Sequence, residues 1–374
     1  MLYLDVLASY PRLVESQDAL ISACQKHIAN PSANHILGEL AYIDIEEARK
    51  VIADSIEALP SEIVFTSGAT ESNNLVLKGV VIPLLSAGKT PHIITSAIEH
   101  KCILAICAYL EELGCEVTYL PPSSDGLISA KSIQKAMQPN TALVSVMHVN
   151  NELGTVNDIK SIGKVCFENG VKFHTDAAQS YLKTTIDVDE QNIDYLSLSA
   201  HKIGGPKGIG AAYIRDLRSH HIQPLIHGAG QEHGVRGGTL ATPLIVAFRA
   251  AVEHFPSHYN AQHLESCKQL LLGELLKQGI HFQINGGKET LPLMVNISLL
   301  NVDVPALIRG TTNKYTFSQG SACSSGSIEP SHVLLALSLN RELASNTLRI
   351  SFSSAIQKSQ LTELVNDIFR FRMD

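Results

Sequence analysis

Between Glu62 and Ile214 the chain repeats one pattern: a short run rich in β-branched residues, then a stretch with helical spacing. "EIVFTSGATESNNLVLKGV" reads as strand, turn and helix. "HIITS" is a strand and "KCILAICAYLEELG" a helix. "CEVTYL" is a strand that runs on to an Asp125-Gly126 turn. "ALVSVMHV" is a strand and "DIKSIGKVCFENG" a helix closed by Gly170. "VKFHTDAAQ", "IDYLSLSAHK" and "GIGAAYI" supply three further strands. Such alternation predicts an α/β layer around a largely parallel, buried sheet. In sheets of this kind ligands gather beyond the carboxyl ends of the strands, so the residues at those ends come first.

After about Phe255 the character changes. "AQHLESCKQLLLGELLKQG" is a long amphipathic helix; "MVNISLL" and "TLRISFS" are strands; "VPALIRG", "SHVLLALSL" and the last segment are helices. This predicts a second, smaller α+β unit. The expected division is a large unit over 15–255 and a small one made of 1–14 and 256–374.

Composition narrows the function classes. Hydrophobic residues make up 45% of the 374 positions and charged residues 17%, which suits a packed globular chain. The formal net charge of -7 argues against direct nucleic-acid binding, because phosphate contacts need a basic face. No apolar run approaches the roughly 18 residues of a membrane span, and the first residues do not read as a signal peptide. The seven cysteines are odd in number, scattered and without a CxxC pair. That is poor material for a disulfide framework or a zinc site. It points to a reducing, cytoplasmic setting, with six of the seven expected as small buried hydrophobes. His220, His221, His227 and His233, and His100 with Cys102, lack metal-ligand spacing, so no metal site is expected.

Four strand-end groups carry chemistry. "TSGATESNN" is a glycine turn opening a helix at Thr70, where free N–H groups and the helix dipole suit a phosphate. "IEHK" ends a strand with His100. "HTDAAQS" ends another with Asp176 and Gln179. "SLSAHKIGGPKGIG" places His201 and Lys202 before a glycine-rich turn. Singly each has an ordinary reading: a helix cap, a structural histidine, a surface lysine. Together they provide an anion cradle, an amine for a Schiff base, a carboxylate and a flat imidazole. That set is what pyridoxal phosphate needs. A fifth feature stands apart: Cys323 lies in the serine- and glycine-rich stretch "SQGSACSSGSIEPSHV", flanked by Gly320 and Gly326, with Pro330 or Ser331 starting the next helix.

The chain resembles the cysteine desulfurases of the class V aminotransferase group, within the fold type I pyridoxal phosphate enzymes. "NPSANHILGELAYIDIEEAR", "VSVMHVNNELGTVNDI", "GAGQEHGVRGGT" and "LRISFS" carry the resemblance along with the strand-end motifs and the cysteine loop, over nearly the whole length. It implies a fold type I transferase and a homodimer with pyridoxal 5′-phosphate. Lys202 would hold the cofactor covalently, with Asp176 on its ring nitrogen and Gln179 on its phenolic oxygen. His100 would stack on the ring and shuttle protons. Thr70, Ser199 and His201 would bind the phosphate, reached by Thr239 from the second subunit, and Ala69 would also bind the cofactor. Asn151, also beside the cofactor, and Arg349 would hold the substrate carboxylate. Cys323, on a mobile loop over 318–329, would take sulfur from L-cysteine as a persulfide and pass it to a protein acceptor, a scaffold or thiolation enzyme. The sequence departs from the family pattern in Ser9 and Tyr10, which replace two threonines, and in Ser353 and Ser354, which replace Gly-Arg. Two other readings stand beside this one: a different pyridoxal phosphate reaction that does not use Cys323, and a non-catalytic relative acting as a partner protein.

Overall fold

The β-branched runs do become strands, and most are buried on both faces. The computed structural model describes residues 1–217, 222–318 and 330–373. In chain order its strands are β1 (Leu2–Tyr3), β2 (Ile63–Thr66), β3 (His92–Ser96), β4 (Glu116–Leu120), β5 (Thr141–Ser145), β6 (Lys172–Asp176), β7 (Tyr195–Ser199), β8 (Gly210–Ile214), β9 (Phe282–Ile284), β10 (Met294–Leu299), β11 (Tyr315–Thr316) and β12 (Thr347–Ser351). Seven of them form one sheet in the order β2-β8-β7-β6-β5-β3-β4. Every residue of β2, β3, β7 and β8 is buried, as expected for a sheet covered by helices on both sides.

The pairings β3–β4, β3–β5, β5–β6 and β6–β7 are parallel. The expectation of a mainly parallel α/β sheet therefore holds. β8 is the exception: it runs antiparallel to both β2 and β7. The link from β7 to β8 is a short glycine-rich turn, and a parallel return would need a crossover of a dozen or more residues. β5 is shorter than "ALVSVMHV" suggests and stops at Ser145. Beyond it the backbone still bonds the neighbouring strand end, with the Val146 and His148 amides donating to the carbonyls of His174 and Asp176 at 3.2 and 3.1 Å. The chain there has turned into the loop that carries Asn151.

Two smaller sheets complete the structure. β9, β10 and β12 form an antiparallel sheet, and β1 pairs in parallel with β11. The first residues thus return to the C-terminal part of the chain, and Asp5 bridges to Ser351 beside β12.

Four helices matter for the site: α1 (Val14–Lys26), α2 (Ile36–Asp54), α3 (Ala69–Ser86) and α4 (Lys101–Glu112). α3 starts one residue after Gly68, whose φ of +148° is open to glycine and strained for other residues. Gly210 is required by close approach, since a Cβ there would lie 2.6 Å from the Cα of Gly68 and 2.4 Å from the carbonyl oxygen of Leu198. These two glycines let the α3 start press against the end of β7. The N-terminus of α3 consequently opens onto the same edge of the sheet as Ser199.

Candidate active site

A cavity of about 350 Å³ lies at the carboxyl ends of β2, β3, β5, β6 and β7. Ala69, Thr70, His100, Asn151, Asp176, Gln179, Ser199, His201 and Lys202 all line it. They are drawn together across more than 130 positions of sequence, from Ala69 to Lys202, because each follows a strand of one sheet.

Lys202 sits on a short 3-10 turn, Ala200–Ile203, closed by Gly204 in the left-handed region. Its Nζ donates to the carbonyls of Leu7 at 2.7 Å and Ala8 at 3.0 Å. Burial, then the nearby Arg349 cation, pull its pKa down to about 8, against the opposing pull of Asp176 and Asp5. An amine so tuned is a competent nucleophile near neutral pH. Its neighbour His201 is pushed down to about 4 by burial and by Lys202 and Lys207. It is therefore a neutral ring, 3.3 Å through Nδ1 from Ser9 Oγ.

Asp176 is 6% exposed. One of its oxygens accepts from the Ala178 amide at 2.9 Å and the other from Asn73 Nδ2 at 2.8 Å. Gln179 donates from Nε2 to the Leu7 carbonyl at 2.9 Å. Only a donor can face that carbonyl, so the amide orientation is fixed and the second N–H remains for a ligand.

His100 caps α4. Its Nδ1 accepts from the Cys102 amide at 3.2 Å and lies 3.0 Å from Cys102 Sγ. An amide can only donate, so Nδ1 is unprotonated and the neutral ring carries its proton on Nε2. Burial lowers the imidazole pKa, which keeps that neutral form. Burial, then Asp176, push the Cys102 thiol up to about 11, so its hydrogen stays to face Nδ1.

Sequence reasoning missed Asn73, Cys102 and Lys207, which also line the cavity. The signal for Asn73 was its place four residues after Ala69, on the face of α3 that meets the strand ends. Cys102 and Cys24 correct the expectation of six buried cysteines. Cys102 is half-buried at the cavity wall and Cys24 is exposed on α1, whereas Cys107, Cys115, Cys166 and Cys267 are buried. α1 packs through few positions, Ser16 and Ala23 among them, and leaves Cys24 on its outer side.

Arg349, at the centre of β12, does not line the cavity; it meets it through Asn151. Its Nη1 donates to the Asn151 carbonyl at 2.9 Å and its Nη2 to Asp5 Oδ1 at 2.6 Å. Thr239 is exposed and outside this cavity. Cys323, His220 and His221 lie outside the described residues. Both residues framing the Cys323 segment are placed, however. Ser318 exchanges backbone hydrogen bonds with Arg349 at 2.8 and 3.2 Å. Ser331 caps the helix that begins at His332 and donates its hydroxyl to the buried Glu152, next to Asn151. Burial raises that carboxyl to about 7.

Of the departures, Ser9 stands behind the cavity wall against His201, whereas Tyr10 and Ser354 are taken up away from it. Tyr10 does not narrow the cavity. It is buried with its ring edge-on to Phe255 at 5.1 Å, and its hydroxyl donates to the His258 carbonyl at 3.3 Å. Ser354 accepts from the Asn260 amide at 2.8 Å, away from the cavity. Tyr10→Thr is expected to cost about 3 kcal/mol of stability through lost ring packing. It should leave KM for the substrate within about two-fold of the parent. Denaturant titration and initial rates check the two halves.

The description aminotransferase class-V belongs to the family model that matches residues 2–364. The chain belongs to the class-V aminotransferase family. It is 44% identical over 369 residues to "Cysteine desulfurase, mitosomal" of Encephalitozoon cuniculi, covering 98% of this chain and 85% of that protein. It is 40% identical to "Cysteine desulfurase IscS" of Rickettsia massiliae, covering 98% and 89%. Among solved structures it matches "SspA in complex with cysteine" at 47% identity with a TM-score of 0.86, covering 94% of this chain and 99% of that one.

Class-V enzymes of this kind depend on pyridoxal 5′-phosphate, and the residues present fit that group. The cavity offers a helix start for the phosphate, a lysine with a lowered pKa and a buried carboxylate. Two buried polar atoms of cavity-lining residues, Asn73 Oδ1 and Gln179 Oε1, have no partner among the described residues. Unpaired buried polar atoms of this kind are costly unless a ligand or water meets them.

Proposed function

We propose that the chain is a pyridoxal phosphate-dependent cysteine desulfurase that converts L-cysteine to L-alanine and leaves a persulfide on Cys323. One observation carries the reading beyond its relatives. The segment bearing Cys323 is framed by Ser318, paired with Arg349, and by Ser331, bonded to the residue after Asn151. Ser318 and Ser331, on either side of that segment in sequence, therefore both lie beside the two residues assigned to the substrate carboxylate.

In this reading Lys202 would hold the cofactor and then act on the Cα proton. Asp176 would serve its ring nitrogen, Gln179 its phenolic oxygen and His100 its ring. Thr70, Ser199 and His201 would hold the phosphate, with Ala69 also against the cofactor. When bound, the cofactor supplies an electron sink for negative charge developing at Cα. Asn151 and Arg349 orient the carboxylate, for which the arginine fork is suited. Cys323, as thiolate, attacks the substrate sulfur. An S–S bond forms, the substrate Cβ–S bond breaks with its electron pair staying on carbon, and carbon takes up a proton.

The assembly we infer is a homodimer. α2 presents Ile36, Leu37, Leu40 and Ile43, between 40% and 64% exposed, at helical spacing, and such a patch suits a second copy. Thr239 would reach the cofactor of that copy. The large and small units are read as 15–255 and 1–14 with 256–374. All seven strands of the main sheet fall in the first, and all strands of the other two sheets in the second. The cytoplasm is our assignment for its compartment, and free thiols suit a reducing milieu. The persulfide would pass to a protein acceptor. No described helix is long and apolar enough to cross a membrane, and no described group of three or more His, Cys, Asp or Glu side chains is arranged for a metal ion.

The test is incubation of the cofactor-loaded protein with L-cysteine and a thiol reductant. Equal amounts of alanine and sulfide are expected, and Cys323→Ser should bind L-cysteine yet release neither. A loaded protein that makes no alanine, or a Cys323→Ser variant with full activity, contradicts the reading.

A further inference from the structure

Arg349 already carries a carboxylate. Its guanidinium is buried, with the residue 7% exposed. Nη2 donates to Asp5 Oδ1 at 2.6 Å, and Nη1 to the Asn151 carbonyl at 2.9 Å. The Nε–H is buried without an acceptor among the described residues. Ser318 holds the arginine backbone through both its N–H and its carbonyl, β10 flanks the strand on the other side, and Asp5 is tied to the same strand by its bridge to Ser351. Asp5 has no other side-chain hydrogen bond among the described residues. The fork is thus held in place by a carbonyl, neutralised by one aspartate, and left with an unused donor.

A buried arginine without a counter-charge is strongly destabilising, so the free protein needs Asp5. A substrate carboxylate arriving at the same fork brings a second negative charge within a few ångströms of the first. Like charges that close repel, and the partly buried setting screens them less than water does. The product, alanine, carries the same carboxylate as the substrate.

We propose that Asp5 is a standing counter-ion of Arg349 that competes with amino-acid carboxylates for the guanidinium. It holds the arginine ready in the free protein and weakens the hold on both substrate and product. This inference rests on the reading of Arg349 as the carboxylate-binding residue. Asp5 is in this sense a positioning residue that never touches the reacting atoms. A purely structural aspartate and a competing one predict opposite signs. If Asp5 only orients Arg349, removing its charge weakens amino-acid binding. If it competes, removing its charge tightens it.

The experiment measures dissociation constants for L-alanine, and KM for L-cysteine, on the cofactor-loaded full chain. Cysteamine, which has the thiol and amine of cysteine but no carboxylate, is the control ligand. Asp5→Asn is expected to tighten L-alanine on the order of five-fold and to leave cysteamine unchanged. Asp5→Glu keeps the charge and should stay within about two-fold of the parent. Asp5→Ser removes the charge with less bulk and should change affinity in the same direction as Asp5→Asn, with thermal melts confirming that each variant is folded. Arg349→Gln separates the two layers. If it weakens L-alanine at least about ten-fold while Asp5→Asn gives unchanged or weaker binding, the carboxylate site stands and the competition is overturned. If Arg349→Gln leaves L-alanine binding unchanged, the assignment of Arg349 falls and the competition with it.

Discussion

Lys202→Ala should lower alanine formation from L-cysteine by roughly 10³-fold or more, the scale of losing a positioned acid–base group. The fold should survive, because among the described residues the Lys202 side chain contributes two hydrogen bonds, to the carbonyls of Leu7 and Ala8. Its protonation gives a second, independent readout. Only the neutral amine can condense with an aldehyde, and burial together with Arg349 sets its pKa at about 8. Uptake of pyridoxal phosphate by the cofactor-free protein should therefore quicken as pH rises, with a midpoint near 8. An ordinary lysine would give a midpoint at about 10.4. Stopped-flow absorbance over a pH series measures it. A rate that is flat through pH 8 would contradict the assigned environment.

Glu232→Ala should give a large loss of stability. Arg49 and Glu232 form a buried pair, with Nη2 2.7 Å from Oε1 and Nη1 2.9 Å from Oε2. Glu232 also accepts from the Phe65 amide at 2.6 Å, near the carboxyl end of β2, the strand that leads into α3. The same pair secures a strained turn, since Glu232 and His233 have φ of 47° and 57°. That turn leads to Arg236, which pairs with Glu71 on α3 at 2.9 Å, and on to Thr239. Removing the carboxylate leaves the buried guanidinium with the more exposed Glu46, 3.0 Å from Nε, as its charged partner among the described residues, and leaves a buried amide short of an acceptor, at a cost of about 3 kcal/mol. Denaturant unfolding of the variant should show the loss. The double variant Arg49→Met with Glu232→Leu should recover a substantial part of it, because no uncompensated charge remains. A Glu232→Ala variant as stable as the parent would contradict this account of the turn.

The alternation of β-branched runs with helical spacing made the main sheet readable, because strands buried on both faces are rich in apolar and β-branched residues. Strand direction was not readable from that pattern. β8 carries the same kind of residues as its neighbours, and only the short link after Lys202 makes it antiparallel. Two-residue strands such as β1 and β11 leave no periodic trace, so the pairing of the chain ends was expected only in outline. The strand-end residues were legible because phosphate, amine and carboxylate chemistry each need a particular side chain at a particular kind of backbone break. Asn73 and Cys102 were not, since an asparagine within a helix and a small thiol both have ordinary structural uses. The contact of Asp5 with Arg349 spans 344 positions and leaves no local pattern in the sequence. The place of Tyr10 was not readable either, because its ring packs on Phe255, a helix residue far along the chain.

The central claim is that sulfur leaves L-cysteine for Cys323. It is tested most directly by mass spectrometry of the cofactor-loaded protein after brief exposure to L-cysteine without reductant, with thiols blocked before digestion. The account predicts that the peptide containing Cys323 gains the mass of one sulfur atom, with alanine formed in matching amount, and that Cys24 and Cys102 stay unmodified. Alanine formed in stoichiometric amount with Cys323 unmodified, or the extra sulfur found on another cysteine, would contradict it.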